Sequence, residues 1–187
     1  MENIRYHALT PEKWADFENL FGERGACGGC WCMTWRLKSS DYEKSKGAGN
    51  KSLMHELVQT GAPAGVLAYD GDQAVGWCAV APREHYVRLE NSRVLSRVDE
   101  QPVWSIVCFF IQKNYRGRGL SVQLIRAAAE YAKSQGAKIV EAYPQIPKNE
   151  RMPEVFAFTG LASAFAKAGF KEVARRSETR PIFRIEM

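Results

Sequence analysis

Two arginines and two glycines in the run Arg116-Gly117-Arg118-Gly119 are the residues best suited to chemistry in this chain. The chemistry they suit is phosphate binding. Glycine adopts positive φ and lets a ligand come close to the main chain. Arginine offers a planar, permanently charged set of donors that matches phosphate oxygens. Two familiar phosphate motifs are excluded. A dinucleotide fingerprint needs a third glycine three residues after Gly119, where Val122 stands. A P-loop needs Gly-Lys-Ser/Thr, whereas Gly119 is followed by Leu120-Ser121.

Such a turn holds an anion only between the right elements. Residues 103–111 are rich in β-branched and aromatic types and predict a strand. Over residues 119–135, Leu120, Leu124, Ala128 and Ala132 recur every four positions with Ile125 beside them, which predicts a helix with one apolar stripe. Strand, glycine turn and helix start together aim free N–H groups and the positive helix end at one point. Downstream, residues 138–143 predict a strand and 161–168 a short helix, with Gly169 in the C-terminal capping place. Residues 171–174 and 181–185 predict closing strands.

Upstream, residues 3–9 predict a strand. Thr10-Pro11-Glu12 predicts a helix start, with Thr10 as the cap and Trp14, Phe17 and Leu20 following. Residues 50–60 predict a second helix with Leu53, Met54, Leu57 and Val58 inward. Residues 64–69 and 73–80 flank Asp70-Gly71-Asp72 as a hairpin. The charge-rich residues 82–101 predict a solvated loop or a short exposed helix. A substrate-side loop is the functional alternative.

The run Asn114-Tyr115-Arg116-Gly117-Arg118-Gly119 resembles the acetyl-CoA motif of the GNAT superfamily of N-acetyltransferases, Gln/Arg-x-x-Gly-x-Gly/Ala. Asn114 departs from it at the first position. The order strand, motif, helix, strand, short helix and Gly169-Phe170 is also similar to that family. The likeness extends to a branch with a Cys-rich N-terminal patch, a Cys-Phe-Phe segment (Cys108 to Phe110) and a Glu-Ala-Tyr-Pro segment (Glu141 to Pro144). The resemblance covers residues 103–176 well and 1–187 loosely. It implies an α/β (α+β) GNAT fold, with a central mixed, mostly antiparallel sheet flanked by helices, as one domain over 1–187. It implies acetyl-CoA as acyl donor. Its pyrophosphate would meet Arg116, Gly117, Arg118, Gly119, Leu120 and Ser121, and its pantetheine arm would pair with Phe109, Phe110 and Ile111. The implied reaction is acetyl transfer to a primary amine by direct attack, with a small molecule as acceptor and no metal.

That reaction needs the amine proton accepted and the leaving thiolate protonated. Many members of the family protonate the thiolate with a Tyr four residues before the Gly-Phe glycine, where this chain has Phe165. Tyr143 and Ser163 are the substitutes by residue type. Glu141 is the general-base candidate, since Ile139, Glu141 and Tyr143 share one strand face. A structural ion pair is the alternative for Glu141. Glu84 and His85 come second, and His7 and His55 sit in predicted elements without partners.

The patch Cys27-Gly28-Gly29-Cys30-Trp31-Cys32-Met33-Thr34-Trp35-Arg36 is the other unusual feature. A closed zinc site wants four ligands, usually as two spaced pairs, and no second pair follows. By the resemblance, Cys30, Trp31 and Cys32 would border the acceptor, and Trp31 and Trp35 offer it broad apolar faces. Composition adds limits. The 187 residues suit one sizeable core, and the net charge of +5 is spread without a basic run, so no nucleic-acid partner is expected. The chain lacks a membrane-length apolar run and an evident signal peptide, so a cytoplasmic protein without a membrane partner is expected. A homodimer stays open. Three function classes compete: an acyltransferase, a CoA-binding module with weak catalysis, and a cysteine-based metal or redox sensor.

Overall fold

Seven strands form one sheet in the order β1-β2-β3-β4-β5-β7-β6, in a computed structural model that describes residues 4–147 and 158–187. The strands are β1 (Ile4–Ala8), β2 (Gly65–Asp70), β3 (Gln73–Pro82), β4 (Trp104–Ile111), β5 (Ile139–Ala142), β6 (Lys171–Arg175) and β7 (Pro181–Glu186). All neighbouring strands run antiparallel except β4 and β5. This is the mixed, mostly antiparallel sheet that the resemblance implied. Residue 3 of the expected first strand lies outside the described residues.

Each face of the sheet has its own core. On one face α5 (Leu120–Ser134) lays Leu120, Leu124, Ile125 and Ala128 on Cys78, Val80 and Ile106, and α6 (Ala162–Ala168) adds Phe165. Small alanines let α5 lie close to the sheet. Gly76 deepens this approach, because a Cβ there would stand 3.0 Å from Leu124. The other face is aromatic. There α1 (Trp14–Phe21) brings Phe17, Leu20 and Phe21 onto Trp77, joined by Met54 and Val58 of α3 (Ala48–Gln59). The alternation of Trp77, Ala79 and Ala81 with Cys78 and Val80 sends each strand residue to one core or the other. Among the described residues, no helix is long and apolar enough to cross a membrane.

One helix has no counterpart among the sequence expectations, and two expectations are corrected. A short helix, α2 (Ser39–Ser45), buries only Tyr42, so its polar sequence carried no periodic signal. The first turn after Thr10 is a 3₁₀ turn (Pro11–Lys13), and the Thr10 hydroxyl bonds the Glu12 carboxylate instead of capping the main chain. Residues 82–101 are not a solvated loop. A 3₁₀ turn (Arg83–His85) and α4 (Val87–Glu90) strap the aromatic face, with Arg83, Tyr86, Leu89 and Leu95 buried.

Candidate active site

The parallel strands β4 and β5 pair only from Trp104↔Val140 to Ile106↔Ala142. Beyond that point, among the described residues, β4 continues with β3 alone, and a split opens in the sheet. The β3–β4 register also skips between Ala79↔Cys108 and Val80↔Ile106, which makes Val107 a bulge at the mouth of the split. Burial falls from complete at Ile106 and Val107 to partial from Cys108 to Ile111. On its β5 side, this stretch has a strand edge with main-chain groups open to a ligand.

The turn after β4 prepares the anion site. Gly117 and Gly119 take φ of 71° and 82°, and a Cβ at either would meet nothing within 4 Å. The constraint there is therefore conformational, and the space is open. Among the described residues, nothing accepts a hydrogen bond from the amides of Gly117, Arg118, Gly119, Leu120 or Ser121. The first turn of α5 has no acidic residue. Five amides without partners at a helix start form a cradle for an anion. Arg116 Nε donates to the Ile111 carbonyl at 2.8 Å and ties the cradle to the end of β4. Arg118 is exposed.

Phe165 is fully buried and meets Phe109 edge-on, with ring centroids 5.9 Å apart. An aromatic edge thus faces β4 where the family has a hydroxyl. Ser163 is exposed on α6 and does not share the buried position of Phe165.

Glu141 and Tyr143 lie on the aromatic face, both fully buried, in a closed ionic network. Glu141 Oε1 accepts from Arg83 Nη1 at 3.0 Å and from the Tyr143 hydroxyl at 2.6 Å. Glu141 Oε2 accepts from Arg184 Nε at 2.7 Å. Arg83 also donates through Nε to Glu90, through Nη1 to Tyr143, and through Nη2 to the carbonyls of Leu89 and Leu95. Every N–H of that guanidinium therefore has an acceptor. Arg184 continues the chain with two hydrogen bonds to Asp99. Burial, reinforced by the Glu141 carboxylate, pushes the Tyr143 phenol well above its ordinary value. Its proton is committed to Glu141. The structural alternative for Glu141 is thus realised in its surroundings.

The other acid–base candidates are scattered. Glu84 is exposed and His85 half-buried, and burial followed by the Arg36 charge lowers the His85 pKa. Both lie next to Pro82, which pairs with Trp104 at the end of β4 away from the split. His7 packs edge-on against Tyr69, and His55 packs against Trp14.

The cysteine patch folds inward. Trp31 stacks on Phe21 and Trp14 in the core, and Gly25 is needed because any Cβ there would collide with the Trp31 indole. Trp77 Nε1 donates to Cys32 Sγ at 3.1 Å. A hydrogen bond from Cys108 and this one from Trp77 hold the Cys32 thiol below its ordinary value despite burial. Cys30 is half-buried and donates to the Gly25 carbonyl, while Cys27 is exposed. The described residues with positive φ that are not glycine are Ala26, Trp31 and Cys32, so backbone strain is concentrated in this patch. Trp31 and Cys32 hold the loop from inside. Trp35, further along the same loop, is half-buried against this core and also lines a cleft of about 430 Å³ with Arg88, Ser92, Phe158, Ser177 and Arg180. Sequence reasoning gave Trp35 a role at the acceptor and carried Arg88 in the candidate substrate-side loop, but gave Ser92, Phe158, Ser177 and Arg180 none.

Residues 31–160 match the profile of the acetyltransferase (GNAT) family, and the chain belongs to that family. An uncharacterised N-acetyltransferase of Methanocaldococcus jannaschii is 29% identical over 82 residues, which span 44% of this chain and 36% of that protein. The chain therefore matches only about a third of the length of that curated relative. Solved structures extend the likeness of fold. A GNAT-family acetyltransferase from Streptococcus agalactiae superposes with a TM-score of 0.58 at 12% identity, over 100% of this chain and 96% of the other. PaiA N-acetyltransferase from Thermoplasma acidophilum, solved in complex with coenzyme A, gives 0.54 at 13% identity, over 99% of each chain.

Proposed function

We propose that the chain transfers an acetyl group from acetyl-CoA to a primary amine of a small molecule by direct attack. The amine nitrogen attacks the thioester carbonyl carbon, the C–S bond breaks, and CoA leaves as the thiolate. The observation that carries this reading is the row of five unpartnered amides from Gly117 to Ser121, set at the end of the open edge of β4. A pyrophosphate suits the amides, and an extended pantetheine arm suits the edge at Phe109, Phe110 and Ile111. Family membership and the CoA complex of the Thermoplasma relative support the same donor. A cleft of about 430 Å³ matches a small acceptor.

In this reading Glu141 and Tyr143 fix the β5 side of the split, because their hydrogen-bonding groups already serve Arg83, Arg184 and Ser105. The amine proton leaves through water. Phe165 favours a second reading, a CoA-binding module with weak catalysis, since it offers no proton to the leaving thiolate. Turnover against a panel of amines separates the two.

The donor site is tested by replacing Gly117 and Gly119 together with valine. Positive φ is costly for a β-branched residue, so the cradle should lose its shape. Calorimetry should show roughly a hundredfold loss of acetyl-CoA affinity or more, with the circular dichroism spectrum unchanged. Full affinity in the folded double variant would remove the proposed site.

A further inference from the structure

Arg180 stands apart from the other arginines. Arg24, Arg93 and Arg118 also lack side-chain partners among the described residues, but all three are exposed. Arg180 is half-buried, and no described carboxylate or carbonyl accepts from its guanidinium. Burial without a counter-charge lowers its pKa from the ordinary arginine value. A partly desolvated guanidinium left without an acceptor is costly, and folded proteins ordinarily pair such groups.

Its surroundings explain what would complete it. Arg180 lines the open cleft with Arg88, and none of the described lining residues is acidic. Arg88 is held in place, because its Nε donates to the Leu37 carbonyl at 3.1 Å and its guanidinium lies over the Tyr42 ring. Its terminal nitrogens have no partner among the described residues. Ser92 and Ser177 add hydroxyls, while Trp35 and Phe158 supply apolar surface. The cleft also lies at the right end of the sheet. Arg180 precedes Pro181, the start of β7, and β7 pairs Phe183 with Ala142, the last residue of β5. The Ile146 amide donates to the Thr179 carbonyl at 3.0 Å, so the turn before β7 lies alongside the chain leaving β5, past the point where β4 and β5 separate.

We propose that the acceptor amine carries an anionic oxygen group, carboxylate or phosphate, on an apolar body, and that Arg180 with Arg88 binds that group in this cleft. The proposal rests on the amine-transfer reading above and names the acceptor class for it. A planar guanidinium pairs with either oxyanion through two parallel hydrogen bonds. Trp35 and Phe158 would take the body of the molecule.

The test is calorimetric binding, with CoA present, of phenylalanine against phenethylamine and of phosphoethanolamine against ethanolamine. In at least one pair, the anionic member should bind the wild-type protein roughly tenfold or more tightly than its neutral counterpart. The responding pair tells carboxylate from phosphate. Arg180→Gln should collapse that preference while CoA affinity holds, and Arg180→Lys should restore part of it. Equal binding within both pairs would overturn the proposal, as would a preference that survives in both Arg180→Gln and Arg88→Gln. Turnover of the same amines keeps the two readings apart. Acetylation without charge preference would leave amine transfer standing and remove the anion site. A charge preference in binding without acetylation of any amine would do the reverse.

Discussion

Arg83 is fully buried and Arg180 half-buried, yet the first has every donor paired and the second, among the described residues, has none. Arg83 sits under the strap with five acceptors, joined through Glu141 to Arg184 and Asp99. Arg180 sits in the open cleft with none among the described residues. The five amides of the 117–121 turn resemble Arg180 in this respect. The contrast separates structure from function on physical grounds. Removing water from a polar group costs several times what a finished hydrogen bond returns, so the protein must complete the group or leave it for a ligand. The closed region holds the β5 side of the split in place. The open region is where binding is expected.

The sharpest way to break this comparison is Glu141→Gln. If the network is structural, removing its central charge leaves two guanidiniums under-paired and should cost roughly 3 kcal/mol of stability. Urea unfolding reads this directly, and acetyl-CoA affinity of the folded fraction should change little. A large fall in turnover at unchanged stability would move Glu141 from the closed region to the reacting centre and restore it as general base.

Acid unfolding gives a second, smaller effect. Hydrogen bonds from Arg184 pull Asp99 from the ordinary carboxylate value of 3.8 to about 2. A depressed folded pKa contributes stability that is full above the unfolded value and is lost as pH falls toward the folded one. Stability should therefore drop between about pH 4 and pH 2, and Asp99→Asn should flatten that part of the profile. An identical slope in the variant would detach Asp99 from the network.

Phe165→Tyr should have the smallest effect and sharpens the comparison from the open side. Its ring is buried against Phe109 and Phe170, so the added hydroxyl enters an apolar pocket. Turnover should change by less than about tenfold. General acid catalysis typically contributes about a hundredfold or more. A gain of that size would show that thiolate protonation limits turnover and that the open end lacks a donor.

The best-read region was the one whose signals are local. A strand of β-branched and aromatic residues, two glycines at positive φ and a four-residue apolar repeat each depend on near neighbours, and 103–135 folds as its sequence predicts. The hairpin at Gly71 was legible for the same reason. The strap was misread because its charges were counted as solvent-facing. Arg83 finds Glu141 and Tyr143 at sequence separations of 58 and 60, and only the sheet brings them together. The cysteine patch was legible as a packing motif, but its orientation was not. Trp31 turns into the core, while Trp35, from the same stretch, packs on that core and also lines the cleft.

The sequence by itself determined the element order, the glycine cradle and a phenylalanine at 165, where the resemblance leads one to expect a tyrosine, because each is a property of residue type at a position. Tertiary structure decided which charges were finished and which were left open. Nothing in the types of Arg83 and Arg180 distinguishes them. A hydrogen bond made or unmade across the fold depends on where distant acceptors come to lie, and that is settled only when the strands have paired.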